Sequence, residues 1–266
     1  MKLAVQEQLL PEGSLEEKFD VARRAGWDGL ELRGKGGLAF RERLPELQRA
    51  RREGVVMPTV CVDMPYFIGD FDPGKRAEAL ASLKVQLSVI AEIGGSGAMT
   101  PASWGMFSRR LPPFVPPRSS ADDRAVLLDA LHALGTHARD EGVEIYLEPL
   151  NRYEDHMVNR LEQAVSLIEE VGLDSVKVVA DFFHMDIEET DISAALRAAN
   201  GHLGHVQVSD SNRLEPGAGH LDWPPALAAL TDLGYDGWFA LESRLSGPIT
   251  DVLGPAGRTL RNPPQR

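Results

Sequence analysis

The chain has 266 residues, 43% of them hydrophobic and 26% charged, with a formal net charge of −12 at pH 7. That size suits one large globular core, and the negative charge opposes contact with nucleic-acid phosphates unless a local basic patch overcomes it. A single cysteine, Cys61, excludes an intrachain disulfide and a cysteine-rich zinc module, and no apolar run approaches the ~20 residues that cross a bilayer, so a soluble cytoplasmic protein with no membrane or nucleic-acid partner is expected.

In chain order, short apolar runs alternate with amphipathic helical stretches. The first strand candidate is KLAVQ (2–6), followed by the helical LEEKFDVARRAG. GLELRG (29–34) comes next, and the RERLPELQRARREG beyond it interleaves arginine with glutamate as a solvated helix face does. VVMPTVCVD (55–63) leads into the helix KRAEALASLKVQLSVIAEIG and then GSGAMTPA (95–102). The loop from 103 to 119 holds RRLPPFVPPR, whose prolines stiffen an extended segment. After the helix DRAVLLDALHALGTHARDEG come VEIYLEPL (143–150), the helix RLEQAVSLIEEVG, SVKVVADF (175–182), LGHVQVSD (203–210) and GWFALES (237–243). Several helices stop at a glycine suited to a left-handed C-cap. The tail GPAGRTLRNPPQR is short for a full closing helix, which implies a minimal eighth unit or packing against a partner subunit.

Eight strand-helix units without an internal linker predict a single-domain (β/α)₈ TIM barrel over residues 1–266, since that fold needs about 250 residues. A doubly wound open sheet would carry a glycine-rich phosphate turn after its first strand, and QEQLLPEG is not one.

Strand alternation sorts the faces. Val143, Ile145 and Leu147 share one face of their strand, and Glu144, Tyr146 and Glu148 share the other. With the apolar set outward against helices, Glu144 points inward and needs a partner such as Lys177, while Glu148 lies near the C-terminal mouth where barrel enzymes do their chemistry. The polar residues ending the last four strands, Glu148, Asp181, Gln207 and Glu242, are separated by 33, 26 and 35 positions, each about one repeat. Carboxylates converging there would repel one another unless a divalent cation neutralised them. An oxygen-rich ligand set of that kind favours Mg²⁺ or Mn²⁺, with Co²⁺ or Zn²⁺ as alternatives. The other reading is that these acids cap the following helices or face water.

YLEPLNRYEDHMVN, VKVVADFFHMDIEE, GHVQVSDSNRLEPGAGHLDW and YDGWFALES resemble the sugar isomerase/epimerase branch of the xylose isomerase-like barrels. Within it they are similar to ketose 3-epimerases related to D-tagatose 3-epimerase, and to hydroxypyruvate isomerases. The resemblance is close over roughly residues 143 to 243 and elsewhere extends only to the rhythm of strands and helices. It implies metal ligation by Glu148, Asp181 and Glu242, with Gln207 standing where the ketose epimerases have histidine. It also implies substrate contacts from Glu154, His184 and Arg213, and acid/base roles for Glu148 and Glu242. The implied reaction is proton transfer beside a ketose carbonyl through an enediolate, giving ketose 3-epimerisation. Aldose-ketose isomerisation of the hydroxypyruvate isomerase type, sugar-acid or inosose dehydration, and a non-catalytic sugar-binding barrel are the alternatives. An endonuclease IV-like nuclease would need histidines on early strands, yet the first histidine is His132, on a helix.

Cys61, Asp63 and Trp104 fall near the same mouth, and Trp104 and Phe107 suit packing on a sugar face or a lid. His205 reads as a residue one layer deeper than the ligands. Asp210 and His220, in the loop after the seventh strand, are candidates to orient loops around the site, but neither stands in a distinctive pattern. No basic cluster marks a phosphate site, so a free sugar is expected, and a homo-oligomer is the family habit.

Overall fold

A computed structural model of the chain, describing residues 1–107 and 115–263, closes eight parallel strands into a barrel in sequence order. The strands are β1 (Lys2–Gln6), β2 (Gly29–Lys35), β3 (Thr59–Asp63), β4 (Gly97–Pro101), β5 (Glu144–Glu148), β6 (Val176–Asp181), β7 (Leu203–Val208) and β8 (Trp238–Leu241). Around them run α1 (Leu15–Arg24), α2 (Ala39–Glu42), α3 (Leu44–Arg52), α4 (Pro73–Glu92), α5 (Ser120–Glu141), α6 (Leu161–Val171), α7 (Phe182–Glu188), α8 (Ile192–Ala198), α9 (Trp223–Asp232) and α10 (Ile249–Arg261). All eight strand candidates form. β3 starts four residues later than its apolar run, because Pro58 has no N–H to give a ladder and only its carbonyl is used, by Ser96 N at 2.6 Å. Most of the proline-rich RRLPPFVPPR lies outside the described residues.

Local chemistry sets the helix ends. At α1, Ser14 Oγ accepts from Glu17 N (3.2 Å) while Glu17 Oε2 accepts from Ser14 N (2.8 Å), a reciprocal capping box. The side chains of Asp72 and Ser119 cap α4 and α5 one way, by accepting from first-turn N–H groups, and Gly142 ends α5 at φ 74°, a conformation that glycine adopts without a Cβ penalty.

Two apolar layers result. Ile145, Leu147, Val206, Val208, Phe239 and Leu241 face outward and join the main core beneath the helices. Inside the barrel a small cluster of Met99, Tyr146 and Val179 packs with Cys61. Burial raises the half-buried Glu144 carboxyl, and Tyr146 and the charge of Lys177, the expected partner, lower it, while the Lys177 ammonium also donates to Gly201 O at 2.9 Å.

The tail also corrects the sequence expectation. α10 is a full amphipathic helix of 13 residues that buries Ile249, Leu253, Ala256 and Leu260, positions one helical face apart. Pro255 interrupts the pattern that a sequence reader follows, but it sits on the exposed side, where a missing N–H bond is tolerated. The helix locks onto the barrel through Trp27 Nε1, which donates to Leu253 O at 2.9 Å. Truncating Leu253 to alanine should lower stability by about 2–5 kcal/mol through the cavity it leaves, measured by urea denaturation; a loss below about 0.5 kcal/mol would mean that α10 does not help hold the barrel closed.

Candidate active site

The barrel interior below the mouth is a closed polar layer. Glu31, fully buried, accepts from Gln6 Nε2 (3.0 Å) and Thr59 Oγ1 (2.8 Å) and lies 2.8 Å from His205 Nε2. His205 stacks on Tyr146 with ring centroids 5.7 Å apart. This is the deeper position expected of His205, and a carboxylate with three partners can remain buried there.

Directly above lies the strand-tip layer. β6 and β7 lose register between Val178 and Val179. Val178 pairs with Leu203, so an unbroken ladder would set Asp181 beside Val206; the shift instead pairs Asp181 with Gln207. Such irregularities re-aim side chains near sites. Gln207 is fully buried, its Nε2 is 3.8 Å from Cys61 Sγ, and its Oε1 has no hydrogen-bond partner. Glu242 Oε2 is likewise buried and without a partner. Two orphaned acceptors beside further carboxylates are a donor set suited to a hard cation.

Asp181 divides its two oxygens. Oδ1 caps α7 by accepting from Phe183 N (2.8 Å) and His184 N (3.2 Å), while Oδ2 accepts from Arg213 Nη1 at 2.8 Å. The capping alternative raised by the sequence is thus true of this residue, but it uses only one oxygen. His184 Nδ1 accepts from the backbone N–H of Asn151 at 3.0 Å, so in the neutral ring the proton sits on Nε2. That nitrogen is 3.7 Å from Glu148 Oε1. Glu148, Asp181 and His184 each offer an atom within 4.8 Å of the others, but the tautomer makes His184 a donor there, leaving no lone pair on Nε2 for a metal.

Arg213 ties the carboxylates together. Its guanidinium reaches Asp181 at 2.8 Å and Glu242 at 3.1 Å and lies over the Phe183 ring at 4.8 Å. Among the described residues it is the one non-glycine with positive φ, 60°, a conformation disfavoured by about 1–3 kcal/mol unless neighbours impose it. Asp210 imposes it. Fully buried, Asp210 accepts from Ser211 N, Leu221 N, Gly217 N and Trp223 Nε1 at 2.8–3.1 Å, and its carbonyl takes Arg213 N at 2.8 Å. A Cβ on Gly219 would stand 2.2 Å from the Asp210 carboxylate, so glycine is required for this close approach. The sequence raises Asp210 as a loop-orienting residue without a pattern to single it out; a signal was SDSNRLEPGAGH, a loop that needs an acceptor for its free N–H groups.

The charges push one another. Burial raises the Glu148 carboxyl well above its ordinary value, and the charges of Glu242 and Asp181 raise it further. Burial lifts Glu242 to about 7 against the pull of Arg213. Burial would raise Asp181 too, but Arg213 and His184 outweigh it and hold Asp181 low. Burial lowers His184, which favours the neutral ring.

A cavity of about 610 Å³ opens over this layer, lined among others by Cys61, Asp63, Trp104, Glu148, Glu154, His184, Arg213 and Glu242. Both Glu154 oxygens are engaged, Oε2 by Trp104 Nε1 and Oε1 by Asn151 Nδ2, each at 3.0 Å. Phe107 turns away from the mouth and meets His156 edge-on at 5.2 Å. Asp63 pairs with Arg33 at 2.7 Å.

A profile of the xylose isomerase-like TIM barrel family matches residues 19–261. Over 246 residues the chain is 38% identical to the 3-dehydro-D-guloside 4-epimerase of Escherichia coli K12, spanning 92% of this chain and 93% of that one. It is 36% identical over 159 residues to the D-psicose 3-epimerase of Enterocloster bolteae, 60% of this chain and 50% of that one. Among solved structures, the apo 3-keto-D-glucoside 4-epimerase of E. coli matches with a TM-score of 0.92 at 37% identity, covering 98% of this chain and 99% of that one.

Two outcomes follow from the site's charges and its Asp210 anchor. In chelator-treated protein, stability should fall as pH rises from about 4.5 to about 7, because the unfolded chain ionises Glu242 near 4.5 while the folded chain holds that proton to about 7. Glu148 acts in the same direction; His184, lowered from 6.5 by burial, opposes it within the window, and Asp181 opposes it only below 3.8, so the two glutamates together set the net fall. Urea melts across that window giving a flat or rising curve would contradict the assigned shifts. Asp210→Ala should remove about 3 kcal/mol by stranding several buried donors; calorimetry showing a near-native melting temperature would deny it the anchoring role.

Proposed function

The chain belongs to the xylose isomerase-like TIM barrel family, and from that premise we propose that it is a metal-dependent sugar epimerase that inverts the carbon beside a ketone. The carrying observation is the pair Glu148 and Glu242 at one mouth, on strands three apart in an eight-strand ring, so that their carboxyls approach a bound carbon from different sides.

The cation would be held by Glu148, Asp181, Gln207 and Glu242. The two unpartnered acceptors, Gln207 Oε1 and Glu242 Oε2, support this set, and its all-oxygen character suits Mn²⁺ or Mg²⁺. When bound, such an ion supplies fixed positive charge that stabilises negative charge developing on the ketone and neighbouring hydroxyl oxygens.

The remaining work falls to the protein's own groups. One glutamate removes the proton from the carbon beside the ketone, which gives an enediolate, and the other returns a proton to the opposite face; configuration inverts and no atoms are lost. Without the ion, burial holds the Glu242 carboxyl at about 7; a bound cation would lower it and favour the carboxylate that serves as base. Arg213 holds the Glu242 carboxyl in place, and the Nε2–H of His184 is available to a substrate oxygen beside Glu148. The buried layer of Glu31, His205 and Tyr146 excludes water from below.

The substrate class best supported is a keto-glycoside inverted at the carbon next to its ring ketone, because the relative 38% identical over 92% of this chain and 93% of its own length is a 3-dehydro-D-guloside 4-epimerase. Ketose 3-epimerisation is the second reading, supported by the D-psicose 3-epimerase match, and it uses the same groups. In either case, NMR in D₂O should show solvent deuterium entering the inverted carbon. Glu148→Gln and Glu242→Gln should each reduce exchange by about 10³-fold or more with the fold intact by circular dichroism; full exchange in either variant would remove that residue from the acid/base pair. Chelation should abolish exchange, and Mn²⁺ or Mg²⁺ should restore it.

A further inference from the structure

The floor of the cavity is accounted for by the chemistry above, but its rim is not. His184 and Glu148 are 2% and 5% exposed, whereas Trp104 and Tyr153, lining the same cavity, are 59% and 49% exposed. Depth therefore runs from charged floor to aromatic rim. Trp104 is not a loose surface ring. Its Nε1 donates to Glu154 Oε2 at 3.0 Å, and the next residue's Gly105 N donates to Glu154 O at 2.8 Å. Glu154 is fixed in turn by Asn151 Nδ2 at 3.0 Å. A large ring held rigidly and left in water beside a substrate cavity is a preformed stacking surface. The nearby Asp63 is neutralised by Arg33 at 2.7 Å, so the carboxylate at this rim does not call for a cationic ligand.

Resting on the epimerase reading, we propose that Trp104 and Tyr153 form a subsite for the aglycone of a glycoside, a ring-shaped neutral group that projects outward while the keto ring reaches the glutamates. The cavity of about 610 Å³ is larger than one hexose fills and lies in the range that encloses a two-ring ligand. An open-chain ketose bound at the floor leaves both aromatic rings uncovered. A glycoside covers them with an aryl face or with the C–H face of a second pyranose.

The test compares phenyl and methyl 3-keto-β-D-glucopyranosides as substrates of the wild-type enzyme and of Trp104→Ala and Trp104→Phe. The wild type should favour the phenyl glycoside, and Trp104→Ala should cut the phenyl-to-methyl ratio of kcat/KM by about tenfold, mostly through KM. Trp104→Phe keeps a stacking ring and should retain most of the preference. Equal losses on both substrates in Trp104→Ala, or no phenyl preference in the wild type, would overturn the subsite. Calorimetric binding of unoxidised phenyl β-D-glucopyranoside reads the subsite without turnover. Trp104-dependent binding with no exchange on any keto-sugar would refute the epimerase reading and keep the subsite, while exchange without such binding would do the reverse.

Discussion

Three carboxylates from β5, β6 and the end of β8 share one low-dielectric mouth, and Arg213 is the cation that lets them do so. Like charges at such distances cannot all ionise unless positive charge stands among them. The arginine satisfies Asp181 and Glu242 but leaves Glu242 Oε2 and Gln207 Oε1 without partners. The same deficit that keeps two glutamates ready to hold protons makes the layer suited to a divalent ion. In the proposed function, proton transfer and cation binding would both draw on this one electrostatic constraint.

That constraint is held in place by structure on two sides. Beneath it, Glu31 with Gln6, Thr59 and His205 closes the barrel against water and gives the mouth a rigid base. Beside it, the buried Asp210 gathers the N–H groups of the loop after β7 and keeps Arg213 in its left-handed backbone conformation. Strain at an active residue persists only when its surroundings over-determine it, and here a single carboxylate does so with four side-chain acceptor contacts. Trp104, held by Glu154, stands at the rim of the same cavity, apart from this charged layer.

Much of this was written in the chain. Period-two alternation placed Ile145 and Leu147 outward and Glu148 inward, and the spacing of Glu148, Asp181, Gln207 and Glu242 matched one residue per strand tip, because both depend only on local geometry and repeat length. The eight strands and the C-caps were legible for the same reason. What the chain did not disclose depends on contacts between distant segments. The register shift that sets Asp181 opposite Gln207 is a property of two strands together. α10 forms through Pro255 because packing of Leu253 and Leu260 outweighs a weak local propensity. The tautomer of His184 and the anchoring role of Asp210 rest on backbone N–H groups brought from elsewhere in the fold. Sequence fixes which side chains stand at the strand tips, since that follows from alternation along each strand; only the closed barrel decides which of their atoms meet, since that follows from register, loop closure and burial.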